Sequence, residues 1–123
     1  MKILIVDDSR AMRSIVMRTL RQAGFTNHPI QEATNGAEGL KAVQETHPDL
    51  VLSDFNMPIM DGLKLLQSLR SEGLSTQFGF VTSESSAELR EAAIAAGASF
   101  VITKPFTPEV FRSVLEPLFA AHA

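Results

Sequence analysis

Four short apolar runs recur along the chain: ILIV at 3–6, LVL at 50–52, FGFV at 78–81 and FVI at 100–102. Near-continuous apolarity over so few residues predicts interior strands covered on both faces, the habit of parallel sheets. A weaker run, PIQEA at 29–33, predicts a fifth strand, shorter or more exposed.

Helical periodicity fills each gap. After Asp8, the residues Met12, Ile15, Val16, Thr19 and Leu20 share one helical face, and Gly24 stops the helix as a left-handed cap would. Asn35 can cap a second helix carrying Ala37, Leu40 and Val43, which ends before the turn signal HPD at 47–49. Asp61 can cap a third helix containing Leu63, Leu66 and Leu69. Ser85 with Glu88 makes a capping box for an Ala-rich fourth, which stops at Gly97. Thr107 followed by Pro108 starts a fifth, with Phe111, Val114, Leu115 and Leu118 facing inward. Strict alternation of strand and helix, five times over, predicts a doubly wound α/β domain.

Composition narrows the class. The 123 residues are about one domain long, 45% hydrophobic and 20% charged, the profile of a globular chain. One domain over 1–123 is expected, with no linker, repeat or output domain. The absence of Cys excludes a disulfide framework and a thiolate metal site, and fits a reducing cytoplasm. The opening MKILIVDD is too short in apolar residues for a signal peptide or membrane span. A net charge of -3 argues against a nucleic-acid surface. Arg10, Arg13, Arg18 and Arg21 cluster near the start, and a solvated helix face is the expected reading for them.

The chemistry gathers where the strands end. An open parallel sheet carries its functional crevice beyond the carboxyl ends of its strands. Asp7 and Asp8 follow the first strand, Asp54 the third, Thr82 and Ser83 the fourth, and Lys104 the fifth. With the first and third strands as neighbours, three carboxylates share one small space and raise each other's cost of ionisation. Such a cluster needs a cation, and hard oxygen donors suit Mg²⁺, which keeps waters and leaves positions for phosphate oxygens. Three carboxylates are balanced by Mg²⁺ and Lys104 together. A phosphoryl group on Asp54 would replace its charge by about -2 and draw Lys104 and Thr82 toward the new oxygens.

The segments VDDS, LSDFNMPIMDG, VTSE and TKPF, in this order, resemble the receiver domains of two-component response regulators, and among them the CheY-like single-domain proteins. The resemblance covers nearly the whole chain and implies a flavodoxin-like fold with strand order 2-1-3-4-5 and five helices. It implies that Asp54 is the phosphoacceptor, and that Asp8, Asp54 and the backbone carbonyl of Asn56 hold Mg²⁺, with Asp7 acting through water. Lys104 would pair with the phosphoryl group, aimed by a cis peptide before Pro105, and Thr82 would be the switch hydroxyl. Asn56 and Glu84 would tune the lifetime of the phosphoryl group. The donor would be a phosphohistidine on a CheA-like histidine kinase, with small acyl phosphates as substitutes. The face around the fourth helix, fifth strand and fifth helix, switched by phosphorylation, would serve a downstream protein target in chemotaxis-type signalling until autodephosphorylation ends the signal. Such a protein is a switch and not an enzyme acting on other substrates, and it works in the cytoplasm away from membranes and nucleic acid.

One departure from the family pattern stands out. CheY-like receivers carry an aromatic three residues before the Lys, where this chain has Val101, with Phe100 one place earlier. Adjacent strand residues point to opposite faces, so Phe100 does not substitute. Output is therefore expected through the backbone after Thr82 and the fourth helix. No Asp occupies the two positions before Val101, and a monomer is expected.

Other classes fit less well. Haloacid-dehalogenase phosphatases place their nucleophile after the first strand in a D-x-D pattern, which VDDSR lacks. A flavin module would want a Ser/Thr-rich loop there and stacking aromatics, but Arg10, Ala11 and Met12 occupy the loop and the chain has no Trp or Tyr. His28, His47 and His122 sit in loops or the tail and are not expected to be ligands. Asp61, Gly62 and Pro58 are expected to shape turns, and Phe111 and Phe119 to pack.

Overall fold

The computed structural model describes residues 1–84 and 86–122. Its strands are β1 (Ile3–Val6), β2 (Ile30–Ala33), β3 (Leu50–Ser53), β4 (Gln77–Thr82) and β5 (Phe100–Thr103). They alternate with α1 (Arg10–Gln22), α2 (Gly36–Thr46), α3 (Gly62–Ser71), α4 (Ala87–Ala95) and α5 (Pro108–His122). All pairings are parallel and the order is β2-β1-β3-β4-β5.

Period-two alternation sends successive strand residues to opposite faces. Leu4, Val6, Val51, Phe78, Phe80 and Val101 pack with Val43 of α2, Leu65, Leu66 and Leu69 of α3, and Ala93 of α4. Ile3, Ile5, Leu50, Leu52, Val81 and Ile102 pack with Val16 and Leu20 of α1 and with Phe111 and Leu115 of α5. Burying one Leu, Ile or Phe contributes roughly 1.5–3 kcal/mol, so two such layers lock the register. The edge strand β2 is only partly buried, as its mixed sequence predicts.

Helix ends follow local chemistry. Ser9, Asn35 and Asp61 accept from the backbone N–H three residues on and cap α1, α2 and α3. Gly24 and Gly97 take φ of +102° and +107° just after α1 and α4, the left-handed exit that costs least without a Cβ. Ser85, the expected cap of α4, lies outside the described residues, and Ser86 caps that helix through a bond from Leu89 N–H.

Two helical faces differ from expectation. Ala37 is exposed and Leu63 only half-buried. The buried stripes run instead through Gly36, Gly39 and Val43 in α2 and through Gly62, Leu65, Leu66 and Leu69 in α3. Val43, Leu66 and Leu69 are buried as expected, and the difference lies at the start of each stripe, where a glycine without a side chain begins the helix against the β3–α3 loop. A larger correction concerns Arg13, which is buried and not part of a solvated face. It shares the stripe of Val16 and Leu20, at i, i+3 and i+7.

Candidate functional site

Strand register builds the site. Val6 pairs with Ser53, and the Asp54 N–H donates to the Val6 carbonyl at 2.9 Å. Asp7 and Asp54 therefore leave the sheet side by side. Thr82 pairs with Thr103, and the Lys104 N–H donates to the Thr82 carbonyl at 2.9 Å, which seats Lys104 beside the end of β4.

The result is a cluster in which ligand oxygens of Asp7, Asp8 and Asp54 lie within 4.8 Å of one another. Asp7 is buried, Asp54 half-buried and Asp8 exposed, so the cluster is open on one side. Burial above all holds the Asp7 carboxyl above the usual carboxylate range, and the charges of Asp54 and Asp8 push the same way. The Ser9 N–H, donating to Asp7 Oδ1 at 2.9 Å, and the Lys104 ammonium act against that rise. Lys104 Nζ lies 4.0 Å from Asp7 Oδ2. The cation expected to meet Asp54 thus has its ion pair with Asp7. The Lys104–Pro105 peptide bond is cis, as the TKPF motif leads one to expect.

The donor set of the cluster is all carboxylate oxygen, with neither imidazole nor thiolate, and its spacing suits a hard divalent cation such as Mg²⁺. Asp54 is held from its own backbone side: Phe55 N–H donates to its Oδ1 at 2.8 Å, and the Ser53 hydroxyl donates to its carbonyl at 2.8 Å. A Cβ at Gly62 would collide with that same carbonyl and with the Phe80 ring, so the helix that starts there must start with glycine. Thr82 is fully buried at the last position of β4, and its hydroxyl accepts from Glu84 N–H at 3.2 Å. The exposed side chains of Asn56 and Glu84 meet each other, Nδ2 donating to Oε1 at 3.0 Å, which joins the loops after β3 and β4.

The chain matches the response regulator receiver domain over residues 3–116. The chain belongs to this receiver family. It is 38% identical over 122 residues to a probable chemotaxis protein CheY of Rhizobium etli, covering 98% of this chain and 93% of that one. It is 36% identical over 121 residues to the chemotaxis protein CheY of Pseudomonas aeruginosa, covering 97% and 96%. Among solved structures, Vibrio cholerae chemotaxis protein CheY4 superposes with a TM-score of 0.81 at 34% identity, covering 94% of this chain and 96% of that one. The receiver is thus CheY-like and similar to chemotaxis signalling proteins, and its five parallel strands in order 2-1-3-4-5 are the flavodoxin-like arrangement. Among its described residues no helix is long and apolar enough to cross a membrane.

Two residues of this receiver escape a reading of the motifs alone. The Arg13 guanidinium donates to the Asp7 carbonyl at 2.6 Å and to Glu32 Oε1 at 2.8 Å, tying the first acid of the cluster to α1 and β2. Helical spacing from Val16 and Leu20 was the available signal for it. Ile59, in the loop after Asp54, has a φ of +70°, and no pattern of apolar and polar residues signals that. At β5 the two candidate positions face apart: Val101 packs on the α4 side and Phe100 on the α5 side. The Val101 carbonyl accepts from the Arg90 guanidinium of α4 at 3.5 Å.

Proposed function

We propose that this receiver accepts a phosphoryl group on Asp54 from a phosphohistidine of a CheA-type kinase and thereby becomes a transient signal for a downstream protein. The observation that carries this reading is the convergence of Asp7, Asp8 and Asp54 within 4.8 Å, with Lys104 Nζ 4.0 Å from Asp7. In the transfer, an Asp54 carboxylate oxygen forms a bond to phosphorus as the P–N bond breaks, and the histidine nitrogen keeps the electron pair. A loose in-line transition state of this kind needs positioning and charge neutralisation more than acid–base help.

Each residue has a part in that scheme. Asp8, Asp54 and the Asn56 carbonyl would hold Mg²⁺, with Asp7 reaching it through water. The ion supplies charge neutralisation for the phosphoryl oxygens when bound. Lys104 gives up its loose pair with Asp7 and donates to a phosphoryl oxygen, a stronger charge-assisted bond. The Thr82 hydroxyl turns to donate to the same group, which releases the Glu84 N–H that it now accepts from. The backbone after Thr82 is thereby moved, and with it α4 and the α4–β5–α5 face. Because Val101 offers no ring to report on Thr82, the backbone carries the coupling. Attack of water in line removes the phosphoryl group as phosphate and restores the Asp54 carboxylate. Asn56 and Glu84 stand at the approach of that water and set its rate.

The deciding experiment is intact mass after incubation with acetyl phosphate and Mg²⁺. One phosphoryl adduct is expected, decaying with time and lost with chelator or in Asp54→Ala. An adduct retained in Asp54→Ala would reassign the acceptor, and no adduct from acetyl phosphate would contradict the proposed chemistry.

A further inference from the structure

Ile59 unites two unfavourable features in one residue. It is 83% exposed, the most open large apolar residue among the described residues. Its φ of +70° puts a β-branched residue in the left-handed region, where Gly, Asn or Asp is the usual occupant. The Met60 N–H donates to the Pro58 carbonyl at 2.7 Å, so Pro58, Ile59 and Met60 form a three-residue turn of the positive-φ kind, which is rare and strained.

The turn is firmly held. Gly36 N–H donates to the Met60 carbonyl at 2.9 Å, and Gly62 N–H to the Phe55 carbonyl at 2.9 Å. A Cβ at Gly36 would meet the Met60 side chain at 2.7 Å, so Met60 is seated against the start of α2 while Ile59 is thrown outward. One exposed apolar side chain is ordinary. One that is also strained, on a loop fixed at both ends and shared with Asp54, has no local physical reason to be Ile, since Asn would lower both costs. Strain of this kind gathers at functional sites.

We propose that Ile59 is a docking anchor for the protein that delivers the phosphoryl group, seating in an apolar recess beside the donor's phosphohistidine. This rests on Asp54 being the acceptor. A donor must bring its histidine into bonding range of Asp54 and so must lie over the loop that carries both residues; a target on the α4–β5–α5 face need not. With Asp8 given over to the ion, exposed Asp61 on this loop and exposed Glu84 on the loop after β4, joined to it through Asn56, leave the surround acidic, so the donor's recess has a basic rim. A central apolar contact with a charged surround is the usual anatomy of a specific interface.

The test compares two donors on Ile59→Asn and Ile59→Leu. Acetyl phosphate is too small to reach the anchor, and the protein donor is the phosphorylated histidine domain, from a panel of CheA-type kinases, that transfers fastest to the wild-type chain. With acetyl phosphate all three proteins should label at rates within about twofold. With the protein donor, kcat/KM should fall about tenfold in Ile59→Asn, as for an interface hot spot, and be largely kept in Ile59→Leu. The thermal midpoint of Ile59→Asn should rise as turn strain is relieved. Equal loss with both donors would place the effect in the chemistry, and no loss with either would remove the anchor; each overturns the inference. So would wild-type labelling by acetyl phosphate with transfer from no histidine domain. Failure of acetyl phosphate to label the wild type would instead strike the acceptor assignment itself.

Discussion

The ring of Phe100 fills the space that a side chain at Gly79 would occupy: a Cβ built on Gly79 runs into three carbons of that ring. The two residues are register partners on β5 and β4, on the face covered by α1 and α5. The glycine is therefore a packing requirement of the aromatic and not a turn.

Gly79→Ala should destabilise the fold by about 1–3 kcal/mol, the usual cost of overpacking a filled site. The entropic gain of replacing a strand glycine works in the opposite direction and is smaller. Adding Phe100→Ala should then cost less than it does in the wild type, because the two changes share one space. Urea unfolding of the four proteins of the cycle measures this, and strict additivity would mean that the ring does not depend on Gly79.

Arg13→Met should cost about 1–3 kcal/mol, since it leaves the buried Asp7 carbonyl without its donor. Glu32→Gln should cost well under 1 kcal/mol, because the Glu32 side chain is 42% exposed and its share of the pair is screened. Equal losses in the two variants, read from denaturant midpoints, would shift the role of Arg13 from the carbonyl to the ion pair.

Arg13 also shows where the sequence ceases to be legible. Four of the five strands lie at the apolar runs because so short a stretch covered on both faces has no polar alternative, and Asp7, Asp54 and Lys104 each follow a strand of one parallel sheet and so leave it at the same edge. Arg13 was hidden because a charge on a helix is read as solvent-facing, although its spacing from Val16 and Leu20 puts it inside. The Ile59 turn was hidden for another reason: the loop is held by the bond from Gly36 N–H to the Met60 carbonyl, which is a tertiary contact with α2. Likewise Phe100 and Val101 could be assigned to opposite faces, but only the register with β4 reveals that Gly79 receives the ring.

His28 gives a pH dependence. Burial first, and then the N-terminal ammonium, 2.8 Å from Nδ1, hold its pKa below the ordinary imidazole value, and Phe119 packs on it edge-on at 4.8 Å. A lowered folded-state pKa means that the unfolded chain binds the proton first. Stability from this residue is full above the ordinary value of 6.5 and falls as pH drops from there toward the folded-state pKa. His28→Leu should flatten that part of the curve, seen as a wild-type-minus-variant difference in unfolding free energy between pH 7.5 and pH 5. An unchanged difference would mean that the ring is not desolvated by Phe119 and its neighbours.

Asp7 has the opposite sign and connects stability to the site. Its folded-state pKa is raised, by burial before all else, so its contribution is fully present below the unfolded value and is lost as pH rises through the folded one. Above the unfolded-state value the buried carboxyl therefore weighs against folding, and Asp7→Asn should raise the thermal midpoint in the absence of divalent ions. The amide oxygen can still accept from Ser9 N–H, so the helix start is kept. Mg²⁺ should stabilise both proteins by binding the folded state, but the wild type more, because it offers three carboxylates within 4.8 Å and the variant two. The advantage of the variant should consequently shrink as Mg²⁺ is titrated, and return on chelation. If the two midpoints instead rose in parallel with Mg²⁺, Asp7 would have no part in holding the ion, directly or through water, and its burial would have to be explained by packing alone.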